Sequence, residues 1–184
     1  NIYIGGTGKT PLVKEIFQIT KSLGKNPAFV KKYYDYLEDE INMLKNVGKI
    51  FFSNKRKDSL EDLIKNGYNL AILDDGFQDL SINKDFSIVC FNQKQWIGNG
   101  FVIPAGPLRE KLSALKRADC VLINGSKDSK IENEVYKENK NAKIFYSRYK
   151  PIDIDRFKDK KICAFAGIGN PTNFFELLKE NNLN

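Results

Sequence analysis

Histidine is absent from all 184 residues, so a Ser-His or Cys-His nucleophile cannot be assembled within this stretch. Cysteine is scarce too: Cys90, Cys120 and Cys163 stand alone, with no Cys-x-x-Cys pair to hold zinc. Each lies inside an apolar run and their number is odd, which predicts buried free thiols in a reducing cytoplasm. No apolar run approaches the roughly 18 residues of a membrane-spanning helix. Nor is there a charged segment followed by an apolar one and a small-residue cleavage site. No repeat or low-complexity segment is visible. What remains is a chain with 41% hydrophobic residues, including 13 Phe and 8 Tyr, enough to bury a core and to exclude a wholly disordered polymer. Thirty Lys and Arg against 23 Asp and Glu leave a formal charge of +7, spread along the sequence. Such a surface favours nucleotide, phospholipid head groups or nucleic acid without choosing among them.

Apolar runs of strand length alternate with helical patterns, the signature of a mostly parallel α/β sheet sandwiched by helices. The predicted strands are 2–4, 28–30, 50–52, 70–73, 88–91, 120–123, 144–146 and 162–166. The predicted helices are 11–23, 38–46, 59–66, 111–117, 130–139 and 172–180. The first has Val13, Ile16, Phe17, Thr20 and Leu23 at spacings of three to four. Ser59 and Asp62 form a weak relative of a capping box at the start of the third. The length suits one domain plus part of a second. Residues 1–148 read as a nucleotide-binding domain, and 149–184 as a linker (149–161) followed by the beginning of a second α/β domain. Position 1 is Asn, and only four residues precede a glycine-rich loop that normally follows a complete buried strand. At the other end, a strand, a turn at 167–171 and a helix are followed by no further strand. The expectation is a piece of a longer chain at both ends.

Four local patterns could carry chemistry. Gly5-Gly6-Thr7-Gly8-Lys9-Thr10 stands between an apolar strand and a helix opened by Pro11. Converging backbone N–H groups and a helix N-terminus suit phosphate there, with Lys9 at the β/γ-phosphates and Thr10 on Mg²⁺. The strict pattern has glycine where this chain has Tyr3. A turn that merely opens a helix would account for Gly8, but not for Lys9 and Thr10 in register. Next, the apolar strand 70–73 ends in Asp74-Asp75-Gly76, as a metal-holding Walker B strand does, and parallel sheets collect ligands at such strand ends. Alone, this would read as a plain turn. Third, Pro104-Ala105-Gly106-Pro107-Leu108-Arg109-Glu110 is a rigid turn delivering a guanidinium that could brace phosphate, or a solvated Arg-Glu pair after a turn. Fourth, Glu38-Asp39-Glu40 opens a helix, where acids ordinarily complement the dipole.

The combination GGTGKTP, DDGFQ and GNGFVIPAGPLRE, in this order and spacing, resembles the tetraacyldisaccharide 4'-kinases of lipid A biosynthesis. The resemblance runs from Gly5 through the turn at 167–171 to the Phe174-Phe175 helix. It implies a P-loop NTPase-like fold and transfer of the ATP γ-phosphoryl group to the 4'-hydroxyl of tetraacyldisaccharide 1-phosphate. The setting it implies is the cytoplasmic face of a bacterial inner membrane, reached through an amino-terminal segment absent here. By motif, Gly5, Gly6, Thr7, Gly8, Lys9 and Thr10 hold the triphosphate and Mg²⁺; Asp74 and Asp75 belong to the Walker B region with Gln78 beside them. Arg109, next to Glu110, would stand at the transfer site, and Asp39 corresponds to the family's aspartate at the acceptor hydroxyl. A histidine partner of that aspartate would lie beyond residue 184.

The sequence departs from the family in two places. Ser-Arg-Gly-Tyr is replaced by Lys31-Lys32-Tyr33-Tyr34, Lys32 keeping a cation, and Glu38 and Ile41 replace a Gly and a Pro around Asp39. The expected chemistry is positioning and charge neutralisation by Lys9, Mg²⁺ and Arg109, with Asp39 orienting or deprotonating the sugar hydroxyl. The isolated stretch 1–184 is expected to be inactive. An NTPase switch with no lipid acceptor is the alternative. A nucleic-acid module is disfavoured, because no stretch interleaves basic and aromatic residues as an RNA-reading strand would, Lys31 to Tyr34 coming closest.

Overall fold

Short β-branched and aromatic runs that lack polar alternation are strands covered on both faces, and such strands pair in parallel. In the computed structural model of the chain, which describes residues 1–34, 38–158, 160–167 and 171–183 and only the backbone of Glu38, six such runs form strands. They are β1 (Pro27–Lys32), β2 (Ile50–Ser53), β3 (Leu70–Leu73), β4 (Ile88–Asn92), β5 (Cys120–Asn124) and β6 (Lys143–Ser147). Every pairing between them is parallel. The helices are α1 (Lys9–Ser22), α2 (Glu38–Lys45), α3 (Arg56–Lys65), α4 (Ser129–Glu138) and α5 (Pro171–Glu180). The expected α/β class is therefore present. Leu37, Asp159 and residues 168–170 of the turn at 167–171 lie outside the described residues.

The single expected sheet is instead two sheets of three strands, in the orders β2-β1-β3 and β4-β5-β6. Between β3 and β4 lies a cavity of about 460 Å³, lined by Leu70 to Leu73, Ile88, Cys90 and the inner face of α1. The predicted strand 2–4 does not fill it. Tyr3 makes one antiparallel bridge to Leu108, with Ile4 N donating to Pro107 O and Arg109 N to Ile2 O. Main-chain groups of 2–4 are thus engaged by the turn before Arg109. Beside β4 it is the Asn1 carboxamide that meets the backbone, donating to Cys90 O at 2.7 Å and accepting from Cys90 N at 2.9 Å.

Each sheet has its own packing. On one face of the first, Phe29 and Ile72 meet α1 and α2 through Val13, Phe17, Ile41 and Leu44. Phe17 and Phe29 stack at 4.7 Å between ring centroids. The opposite face carries Ala28 and Val30 against Leu63 of α3, as the two-residue period of a strand requires. The second sheet buries Val89, Phe91, Val121 and Ile123 under Ile131 and Val135 of α4, together with Ile2, Leu108 and Leu115. Asp128 caps α4, its side chain accepting from Lys130 N and Ile131 N.

Other expectations fail for identifiable reasons. The third helix starts at Arg56, and Ser59 is buried inside it, sharing a hydrogen bond with Ser53 instead of capping an end. The predicted helix 111–117 is a 3₁₀ turn, Leu112–Arg117. Residues 162–166 form no strand, since a ladder needs a neighbour and no described strand lies alongside them. Cys163 accordingly is exposed, while Cys90 and Cys120 are buried. Burial pushes their thiols up to about 12 and about 11.

A thiol reagent at pH 8 should therefore label Cys163 rapidly and the other two only on unfolding; fast labelling of all three in native protein would contradict this packing. At Gly48 an added Cβ would come within 2.2 Å of the Phe17 ring. Gly48→Ala should consequently destabilise the fold by about 1–3 kcal/mol, read from urea denaturation, with an unchanged midpoint disproving the close approach.

Candidate active site

At the carboxyl end of β3 the chain turns sharply, and Asp75 adopts a φ of 56° to make that turn. Parallel sheets expose main-chain and side-chain groups at this end, where helices also begin. Arg56, at the start of α3, braces the turn by donating to Asp75 O at 2.9 Å and pairing with Asp79 at 3.1 Å. The Asp75 carboxylate faces two side-chain cations. Lys9 Nζ lies 3.1 Å from Oδ1 and Arg109 Nη1 lies 2.6 Å from Oδ2, with the main-chain nitrogen of Asn1 also 3.1 Å from Oδ1. Burial alone would raise the pKa of this carboxyl, but Lys9 and Arg109 outweigh it and hold the group below the ordinary carboxylate range.

The glycine loop delivers Lys9. Gly5, Gly6 and Gly8 have φ values of 62°, 62° and 87°, in the region that side chains with a Cβ rarely enter. Gly8 is the residue immediately before α1, so the loop opens onto the helix N-terminus. Thr7 is buried, its hydroxyl accepting from the Asn1 carboxamide, and Thr10 is the half-buried second residue of α1. A Cβ on Gly8 would meet the Tyr149 hydroxyl at 3.1 Å.

From the other side come the residues after the Pro-Ala-Gly-Pro turn. Leu108 is buried in the second core and anchors Arg109. Glu110 accepts from Gln78 Nε2 at 2.9 Å and pairs with Arg117 at 2.7 Å. Gln78 in turn accepts from the main-chain nitrogen of Asn1 and donates to Asn1 O. The structure thus joins Lys9, Asp75, Gln78, Arg109 and Glu110 in one polar network, drawn from both sheets.

Asp74 faces elsewhere. Its Oδ2 pairs with Lys31 at 2.5 Å, while Oδ1 is buried without a hydrogen-bond partner among the described residues. Lys31 also reaches Glu40 of α2 at 2.5 Å. Asp39, one residue before Glu40, is exposed, and no hydrogen bond or ion pair ties it to the network. Lys32 turns to the opposite face of β1, its ammonium 5.3 Å from the centre of the Tyr34 ring.

Two of these participants escaped the sequence reading. In the sequence Lys31 stands out only as a departure from a motif, and a cation closing an apolar strand is the signal that marks its role. Arg56 carries no such signal, because its partners lie at least 18 residues away.

A glycine loop that opens a helix, beside a strand ending in paired acids, defines a P-loop NTPase-like α/β protein of the nucleotide-binding class. Comparison with known proteins narrows this. The family model for tetraacyldisaccharide-1-P 4'-kinase matches residues 34–184. The chain is 43% identical to the tetraacyldisaccharide 4'-kinase of Pelagibacter ubique, over 100% of this chain and 59% of that protein. It is 33% identical to the enzyme of that name from Colwellia psychrerythraea, over 98% of this chain and 60% of the relative. The chain belongs to the tetraacyldisaccharide 4'-kinase family, and it spans about 60% of the length of these relatives. Among solved structures, the hydrogenase maturation factor HypB from Archaeoglobus fulgidus is similar, with a TM-score of 0.55 and 14% identity over 78% of this chain and 76% of that one; this is a likeness of fold. The family assignment does not favour a switch without an acceptor.

Because Asp75 loses more on protonation in the folded than in the unfolded chain, its contribution to stability is present above the ordinary value of 3.8 and fades as pH falls below it toward the depressed folded value. Asp75→Asn should flatten the fall in melting temperature below pH 4. An equally steep fall in the variant would show that the carboxylate is not held by these cations.

Proposed function

We propose that the protein to which this chain belongs transfers the γ-phosphoryl group of ATP to the 4'-hydroxyl of tetraacyldisaccharide 1-phosphate. The observation that carries this reading is the convergence of Lys9 and Arg109 on Asp75 at the mouth of the glycine loop, within a chain of this family. Lys9 and Arg109 arrive from different cores and meet at one anionic point, the charge pattern that a transferring phosphoryl group requires. Backbone N–H groups of Gly5, Gly6, Thr7 and Gly8 would hold the triphosphate, helped by the N-terminus of α1.

The donors also suit a divalent ion. Asp74, Asp75 and Thr10 offer hard oxygen atoms, and the partnerless Asp74 Oδ1 is of the kind Mg²⁺ accepts. When bound, Mg²⁺ would neutralise charge on the β- and γ-phosphates. The sugar oxygen attacks phosphorus as the bond to the β-phosphate oxygen breaks, ADP departs, and the hydroxyl proton passes to Asp39 or to water. Asp39 orients the hydroxyl, a task that its exposed position in the first turn of α2 allows. Gln78 and Glu110 keep Arg109 and the acid turn in register through their shared hydrogen bond. Lys32 would meet the anionic acceptor.

In this reading residues 1–148 are the nucleotide-binding domain, and 149–184 are a linker and the start of a second domain that supplies more of the acceptor cleft. No helix among the described residues is long and apolar enough to cross a membrane. Contact with the cytoplasmic face of the inner membrane is proposed through polypeptide outside this chain, supported by a surface of charge +7 that favours anionic lipid.

The test is γ-phosphate transfer by the full-length protein, with and without the disaccharide acceptor. ADP release should match acceptor phosphorylated, and Lys9→Ala should cut turnover by roughly 10²–10³-fold without changing the melting temperature much. A folded Lys9→Ala variant with normal turnover, or hydrolysis indifferent to acceptor, would overturn the reading.

A further inference from the structure

Burying an ammonium costs several kcal/mol unless its partners are well placed. Lys31 meets this condition at the end of β1, on the strand face that also carries Phe29. Its side chain is 5% exposed, and its Nζ stands 2.5 Å from Asp74 Oδ2 and 2.5 Å from Glu40 Oε2. Burial would lower its pKa, but the two carboxylates outweigh that and raise it, so the group remains an ammonium.

The three members come from three elements. Asp74 is 2% exposed and follows β3 directly, its main-chain N donating to Val30 O at 3.1 Å, which sets it beside Lys31. Glu40 is half-exposed in the first turn of α2, just before Ile41 and four residues before Leu44, the two side chains that seat this helix on Phe29 and Ile50. Packing alone would be served as well by an aliphatic side chain at position 31, because a buried charge is weak support for stability compared with an apolar side chain of similar volume. What the ammonium adds is direction. It draws the first turn of α2 toward the acid end of β3, and that turn also holds Asp39.

We propose that Lys31 is a positioning residue for phosphoryl transfer, bridging Asp74 and Glu40 so that the first turn of α2, with Asp39, is fixed at the carboxyl end of β3. This rests on the kinase reading given above. Lys31 itself touches neither nucleotide nor acceptor in this role.

The experiment uses the full-length protein with ATP and tetraacyldisaccharide 1-phosphate in detergent micelles. Glu40→Gln releases α2 while keeping the buried Lys31–Asp74 pair, so it is expected to fold. Lys31→Met leaves Asp74 unpaired and should also lower the melting temperature, whereas Lys31→Arg should restore most of the activity. Glu40→Gln and Lys31→Met should each reduce kcat by roughly 10- to 100-fold with little change in the KM for ATP, and the double variant should lose no more than the worse single one. Amide hydrogen exchange in α2 should quicken in Glu40→Gln while β1 and β3 stay protected. Wild-type kcat in Glu40→Gln, losses that multiply in the double variant, or unchanged exchange in α2 would each overturn the role given to Lys31. Failure of the unsubstituted protein to phosphorylate the acceptor would instead overturn the kinase reading, and the exchange result would still decide whether Lys31 holds α2.

Discussion

One carboxylate held between two cations from separate elements organises the acid end of β3, and the backbone bends to permit it. Asp75 reaches Lys9 and Arg109 with a φ of 56°, a conformation costly for a residue with a side chain. Two features offset that cost. The attraction of the cations is one, and the Arg56 guanidinium, bonded to the carbonyl of Asp75, is the other. The glycine loop, the strand end and the turn before Arg109 therefore depend on each other through a single side chain.

Much of this was legible in the sequence because it is local. Runs such as Leu70 to Leu73 and Cys120 to Ile123 name their strands by composition, and Gly5 to Thr10 names its loop by spacing. Long-range pairing was less legible. Nothing in residues 2–4 says that their main-chain groups will bond to 107–109, so a single sheet was expected where two are found. Residues 162–166 carry the same apolar pattern as true strands, and local pattern is silent about whether a neighbour stands beside them. The Ser59 signal failed for a related reason: Arg56, engaged with Asp79, begins the helix a turn earlier and leaves the serine inside it.

The two acids after β3, adjacent in sequence, are held in contrasting surroundings. Asp75 is partly open and meets groups from the glycine loop and the Arg109 turn, while Asp74 is enclosed and meets Lys31. The turn at Asp75, with its φ of 56°, separates the two side chains, so that one acid meets Lys9 and Arg109 and the other meets Lys31. The cation that closes β1 thus makes the closest ionic contact of Asp74.

The two sheets have separate cores, and the polar network fastens them across the cavity: Asp75 hangs from one, Arg109 from the other. It acts beside packed hydrocarbon, since Phe77, four residues after β3, is buried in the core of the second sheet. A triphosphate that draws Lys9 and Arg109 onto itself would take over the fastening from the protein's own carboxylate. Occupancy would then govern how stiffly the two halves are joined.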